Sequence, residues 1–178
     1  MTTKARKILE DVEYIKEHFF INRATDLLWR KHKISKKWSP CKYTIHTSGH
    51  LLVSVKKHPV RAHQVIWVLY YGFLPKYIDH IDRNPKNNII GNLRGATKQT
   101  NSTNRIKQRN NTSGYKGVSF DKRKKTKPWR AYLGVGSAYI HIGVFSSKEA
   151  AAEAYNRAAY EFYGDYSCLN IINREDSN

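Results

Sequence analysis

The sequence predicts an α+β protein of two small units, an N-terminal one over residues 1–105 and a second over 115–170, with 106–114 as a basic linker and 171–178 as a tail. The second unit is expected to be a small three-stranded antiparallel sheet packed on one helix. Three observations predict this. After Tyr115, apolar residues alternate with others in three short runs, which is the period of half-buried strands. An alanine-rich segment of helical spacing comes after them. Upstream, IDHIDRNPKNNIIGNLRGATKQTNSTNR, residues 78–105, gathers carboxylate, imidazole and amide groups without an apolar run long enough for a core element.

In order, residues 1–20 fit a short amphipathic helix, because Ile8, Val12, Ile15 and Phe19 recur at spacings of four, three and four. Leu51 to Val55 alternate as a strand, the chain turns near Lys57 to Pro59, and Val65, Val68 and Leu69 fit a buried helix. TKQTNSTNRIK can form a short polar helix after the loop RNPKNNIIGNLRG. The joint NRIKQRNNTSGYKG exchanges apolar residues for Asn, Ser, Thr, Gln and Gly. Beyond it, YKGVSF, PWRAYLGV and AYIHIGVF read as strands. Their Val118, Phe120, Trp129, Ala131, Leu133, Ile140, Ile142 and Val144 make one apolar face. SSKEAAAEAYNRAAYEFYG opens with Ser146 three residues before Glu149, a capping-box spacing, and closes at Gly164. Ala151, Ala154, Tyr155, Ala158 and Phe162 form its stripe.

Composition narrows the function. The 178 residues, 40% hydrophobic, suffice for modest cores but not for a large catalytic domain beside a separate binding domain. Thirty-two Lys and Arg against fourteen Asp and Glu give a formal charge of +18, which points to a polyanionic partner. No acid falls between Asp26 and Asp79 or between Asp82 and Asp121. Cys41 and Cys168 are too few for a disulfide framework or a structural zinc site. The longest apolar run, Val65 to Tyr71, is far shorter than a membrane span, and the start of the chain carries no signal core. The expectation is a cytoplasmic protein with no membrane partner.

The open face of the second unit's sheet should carry Tyr115, Ser119, Arg130, Tyr132, Tyr139 and His141. Lys116 precedes it, and its first hairpin holds Lys122, Arg123, Lys124, Lys125 and Lys127. Glu149, Glu153 and Glu161 lie in the helix instead, a segregation that suits a strand-based reader of double-stranded DNA. Arg105, Lys107 and Arg109 would lie along a phosphate backbone. On SGYKGVSF, WRAYL, IHIGVFSSKEAAAEAYNRAAYEFYG and LN, residues 110–170 resemble the DNA-binding domain of the plant Apetala and ethylene-response transcription factors. That resemblance implies strands docked in the major groove. Ser119, Asp121, Gly134, Tyr139 and His141 depart from the Arg or Trp usual at the base-reading positions, so the docking mode carries over better than the target.

In the 78–105 stretch, His80 can take a proton from water near neutral pH, and Asp79 with Asn101 offers hard oxygen donors for magnesium. The two adjacent side chains need a bulge or twist to face one phosphate. Asn104 is an alternative to Asn101. IDHIDRNPKNNIIGNLR, ATKQTNSTNR and the upstream RAHQVIWVLYYGFLP resemble an HNH endonuclease, the ββα-metal fold of phage homing endonucleases. By that resemblance the catalytic residues are His80, the general base, and Asn92, whose side chain holds the loop closed. Asp79 and Asn101 ligate a divalent ion, magnesium or manganese, and Asn101 stands where other members carry histidine. Arg94 and Lys98 are expected to meet phosphate. His63 either packs behind the site or touches phosphate, while His46, His50 and His58 suggest no cluster. The competing expectation is a non-catalytic, sequence-specific DNA-binding protein with a degenerate HNH unit. RNA binding is weaker, for want of an aromatic stacking platform. Target sequence, nick against double-strand break, and oligomeric state stay open.

Overall fold

In the computed structural model, which describes residues 3–98, 100, 104 and 111–172, the amphipathic start of the chain is two helices rather than one. They are α1, Thr3–Glu10, and α2, Val12–His18. Asp11 separates them because its carboxylate accepts from the Tyr14 N–H at 3.2 Å, an N-cap that restarts the helix. Phe19 then turns extended and begins a strand.

The chain divides into two units, Met1–Ala96 and Thr97–Asn178. The first contains several small antiparallel sheets. Strands β1 (Phe19–Asn22), β2 (Leu27–Lys31) and β3 (Trp38–Pro40) form a meander that the sequence pattern does not announce. Phe20, Trp29 and Trp38 cluster there, with ring centroids 5.8 and 4.8 Å apart for the Phe20 pairs. A second meander joins β4 (Thr44–Ile45), β5 (Leu51–Val55) and β6 (His58–Arg61). Its tight turn is Lys56–Lys57, one residue earlier than the sequence suggests, and both residues have positive φ, 48° and 62°, as mirror-image hairpin turns require. Helix α3, Ala62–Tyr71, begins at once and is buried from Ala62 to Val68. It stops at Gly72, which takes φ 74°. Leu9, Ile15, Leu28, Val53, Val55, Val65 and Val68 form the heart of this unit's core. Last comes the hairpin of β7 (Tyr77–His80) and β8 (Leu93–Ala96).

In the second unit, β9 (Val118–Phe120), β10 (Trp129–Val135) and β11 (Ala138–Phe145) make an antiparallel sheet with β10 in the middle. Helix α4, Lys148–Tyr163, packs on it through Ala151, Ala152, Tyr155 and Ala159. Its cap is Ser147, which accepts from the Ala150 N–H at 3.1 Å, and not Ser146. Phe162 of the expected stripe is exposed. The simple alternation also fails in β11. Ala131 pairs with Gly143 but Tyr132 pairs with His141, so a bulge at Ile142 shifts the facing of the residues beyond it. Val144 therefore shares the open face with its partner Arg130 instead of joining the core, while Ile142 and Phe145 pack inward. Tyr115, expected on the open face, packs against the core and donates its hydroxyl to Glu149 at 3.4 Å. No helix among the described residues is long and apolar enough to cross a membrane.

Candidate nuclease site

The β7–β8 hairpin positions the site. Its ladder runs from Tyr77↔Ala96 to His80↔Leu93 without the bulge expected at Asp79–His80. On such a ladder adjacent side chains leave opposite faces, and these two have different partners. Asp79 receives Nε and Nη2 of Arg94. His80 donates Nε2–H to Asn88 Oδ1 at 3.0 Å, which orients the ring. Asp79 and His80 are each 6% exposed.

The loop between the strands is tied by Asn92. Its Oδ1 accepts from the Asp82 N–H at 3.0 Å, and its Nδ2 donates to Asp82 Oδ1 at 2.9 Å and to the Asn87 carbonyl at 2.8 Å. Both ends of the amide are thus spent on closing the loop. Burial works against ionisation of Asp82. Hydrogen bonds from the Asn84 N–H and the amides of Asn87 and Asn92, with His80 nearby, nevertheless hold its carboxyl below the usual range. Arg83 takes φ 64° in the turn just beyond.

His80 does not stand alone. His50 and His63 reach it, with ring centroids 5.7 Å (His50–His80), 4.9 Å (His63–His80) and 5.2 Å (His50–His63) apart. One ring nitrogen of each lies within 4.8 Å of the others. Burial pushes the His63 pKa well below its usual value, helped by the neighbouring His80, His50 and Arg61. The same causes, burial first and then Arg61, His80 and His46, lower His50 to about 4. This corrects the expectation from sequence that His50 belongs to no cluster, whereas His63, 3% exposed and against His80, is packed at the site as one of its two expected readings had it. The signal that could have shown it lies in the hairpin. The β5–β6 register runs from Val55↔His58 to Leu52↔Arg61; His50 lies two residues before the last of these pairs, and His63, the second residue of α3, two residues after it.

The remaining candidate residues are more scattered. Lys98 is exposed; Asn101, Arg105, Lys107 and Arg109 lie outside the described residues. Asn104 is buried. Lys116 is half-buried, and its backbone N–H donates to Asn170 Oδ1 at 2.6 Å. Lys122, Arg123, Lys124, Lys125 and Lys127 are exposed in the β9–β10 connection. Arg130, Tyr132, His141 and Tyr139 share the open face of the sheet by their pairing, Tyr139 being 76% exposed. Arg130 is matched by Asp121, which also accepts from Arg123, so the face is less positive than its bases alone imply.

Comparison with known proteins agrees with the geometry of the hairpin. The model of the HNH endonuclease family matches residues 60–103, which hold α3, β7, the Asn92 loop and β8. Protein 3.8 of Escherichia phage T7 is 44% identical over 72 residues, 39% of this chain and 58% of that protein. An AP2-like ethylene-responsive transcription factor of Arabidopsis thaliana is 34% identical over 64 residues, 36% of this chain but only 13% of the plant protein. No solved structure gives a significant match. An uncharacterized HNH endonuclease of Acanthamoeba polyphaga mimivirus is 32% identical over 142 residues, 76% of this chain and 72% of the viral protein. With a relative matched over that much of its length, and with the family's model lying on the hairpin that carries His80, this chain belongs to the HNH endonucleases.

Proposed function

We propose that the protein is a metal-dependent endonuclease that hydrolyses phosphodiester bonds of double-stranded DNA, acting in the cytoplasm of a phage-infected bacterium. The observation that carries this reading is the orientation of His80, whose Nε2–H is held by Asn88 Oδ1 on the hairpin that presents it. His80 takes the proton of the attacking water. Asn92, through Asp82 and Asn87, keeps the strand–loop–strand geometry that presents His80.

Asp79 and Asn101, or Asn104 in place of Asn101, would hold the divalent ion. Their carboxylate and amide oxygens are hard donors of the kind magnesium and manganese take. The two bonds from Arg94 hold the Asp79 carboxylate in place, which fits a ligand role. A divalent ion there supplies positive charge against the departing oxygen. Lys98 and the linker bases Arg105, Lys107 and Arg109 would bind flanking phosphates. The C-terminal unit would hold the nuclease on duplex DNA through the open face of its sheet, in the manner of the Apetala-type domains it resembles.

The test is nicking of supercoiled plasmid with magnesium or manganese. His80→Ala is expected to lose on the order of a hundredfold or more in rate while binding DNA unchanged. The shallow access to Asp79 and His80, 6% exposed each, favours a second reading, a DNA-binding protein without catalysis. Wild-type protein that binds duplex but cuts with none of several divalent ions would establish that reading, and equal cutting by His80→Ala would remove His80 from the mechanism.

A further inference from the structure

The three-histidine cluster is larger than a single general base requires. A base needs one imidazole and one orienting partner, and His80 has Asn88 for that. His50 and His63 add two further rings on the same spot, His50 from just before β5 and His63 from the first turn of α3.

We propose that His50, His63 and His80 form a site for a borderline transition metal, zinc above all, and that zinc bound there silences the nuclease by occupying the nitrogen His80 uses as a base. The inhibitory half rests on His80 being the base; the binding half stands on geometry alone. Three imidazoles are a known donor set for zinc, and magnesium, which prefers oxygen, does not compete for it. Tetrahedral zinc at about 2.0 Å from each ring nitrogen needs those nitrogens roughly 3.3 Å apart. The observed spread, within 4.8 Å, closes by small ring movements rather than by moving strands.

The outer partners are those of metal-binding histidines. Ser48 N–H donates to His46 Nδ1 at 3.1 Å, which fixes that nitrogen as an acceptor for the Ser48 hydroxyl at 2.7 Å. Ser48 Oγ in turn accepts from His50 Nδ1–H at 2.9 Å, leaving the His50 lone pair on Nε2. His80 Nε2–H is held by Asn88 in the same way. Two of the three rings thus spend one nitrogen on an oxygen acceptor, the arrangement that hydrogen-bond partners behind a metal impose on its ligating histidines. The third ring, His63, is 3% exposed, and its Nδ1 has no hydrogen-bond partner among the described residues. Burying such an atom unpaired is unfavourable, and a bound cation is one way to relieve it. The Arg61 charge that bears on His50 and His63 opposes any cation, so the site should bind zinc weakly enough to exchange.

The full-length protein, stripped with chelator and held in excess magnesium at pH 7.5, would be titrated with Co2+ and read by visible absorption, then with Zn2+ in competition. One equivalent of Co2+ giving the intense bands of tetrahedral nitrogen coordination, displaced by Zn2+, is expected. His50→Ala should lose the bands, Ser48→Ala should weaken metal binding on the order of tenfold while keeping all three rings, and Asp79→Asn should retain the bands. Bands that survive in His50→Ala, or vanish in Asp79→Asn while that variant stays folded by circular dichroism, would overturn the site. Should His50→Ala fail to fold, Ser48→Ala decides: unchanged affinity there also overturns it. In nicking assays, zinc should inhibit wild type and lose its effect on His50→Ala, each measured against that protein's own zinc-free rate. Tetrahedral Co2+ in a protein that never cuts DNA would sink the nuclease reading and leave the metal site standing; cutting that zinc at saturation does not slow would sink the inhibition.

Discussion

Arg94 faces Asp79 from the directly opposed position of the β7–β8 ladder, and both its Nε and its Nη2 donate to Asp79 Oδ2, at 2.9 and 2.8 Å. Both side chains are largely buried. Removing one member of such a pair leaves the other charge out of water without its counterpart. Arg94→Met is expected to lower the unfolding free energy by about 3 kcal/mol in urea melts, and adding Asp79→Asn should restore most of it. Equal stability of Arg94→Met and wild type would show the pair to be solvated.

Acid should loosen the first unit through its histidines. His63, well below its ordinary value, and His50, near 4, stay neutral in the folded chain, whereas in the unfolded chain both take protons around 6.5. The unfolded state then binds more protons, so stability is flat above about pH 6.5 and declines as pH falls from there toward 4. Urea midpoints taken at pH 7.5, 6 and 5 should decrease in that order, and His50→Gln should flatten the trend. A midpoint that does not move between pH 7.5 and 5 contradicts the lowered pKa values of His50 and His63.

Gly117 sits at φ 72°, and a β-carbon there would overlap the ring of Tyr155 and come within 2.6 Å of the Tyr132 carbonyl oxygen. Tyr155 is a buried residue of α4 and the carbonyl belongs to the central strand, so neither yields easily. Gly117→Ala should destabilise the second unit by about 3 kcal/mol. Gly136→Ala is the control: its φ is 62° but nothing lies within 4 Å, so the loss should be about 1 kcal/mol. Thermal melts of the two variants that coincide would contradict the close approach.

The β9–β10 connection predicts a salt effect. If Lys124, Lys125 and Lys127 meet phosphates, changing all three to Gln should weaken duplex binding for every sequence alike. It should also reduce the slope of log affinity against log salt by about one for each phosphate no longer neutralised. An unchanged slope would place the DNA elsewhere.

Local patterning is legible where side chains alone decide it. The period of two over β9 to β11 and the helical stripe of α4 are visible as text. The features that escape depend on backbone events. The bulge at Ile142 moves Val144 to the open face, and Asp11, a polar residue inside an apolar period, splits one helix into two by bonding its own backbone neighbourhood. The meander of Phe19 to Pro40 is obscure because its strands are short and broken by Arg, Lys and Ser. Asp79, His80 and Asn92 can be singled out because their spacing is local. The contacts of Asp79 with Arg94 and of His80 with His50 and His63 are far less visible, since they depend on strand pairing and on residues 17 to 30 positions upstream in the chain.

The two-residue turn at Lys56–Lys57 acts as the timing element for the β5–β6 hairpin. A single residue inserted between them would slide β5 past β6 and displace His50 from His63 at the start of α3, although the insertion lies six residues along the chain from either ring. Deep scanning for loss of the imidazole triplet should therefore score length changes in this surface turn as severely as replacement of the rings themselves.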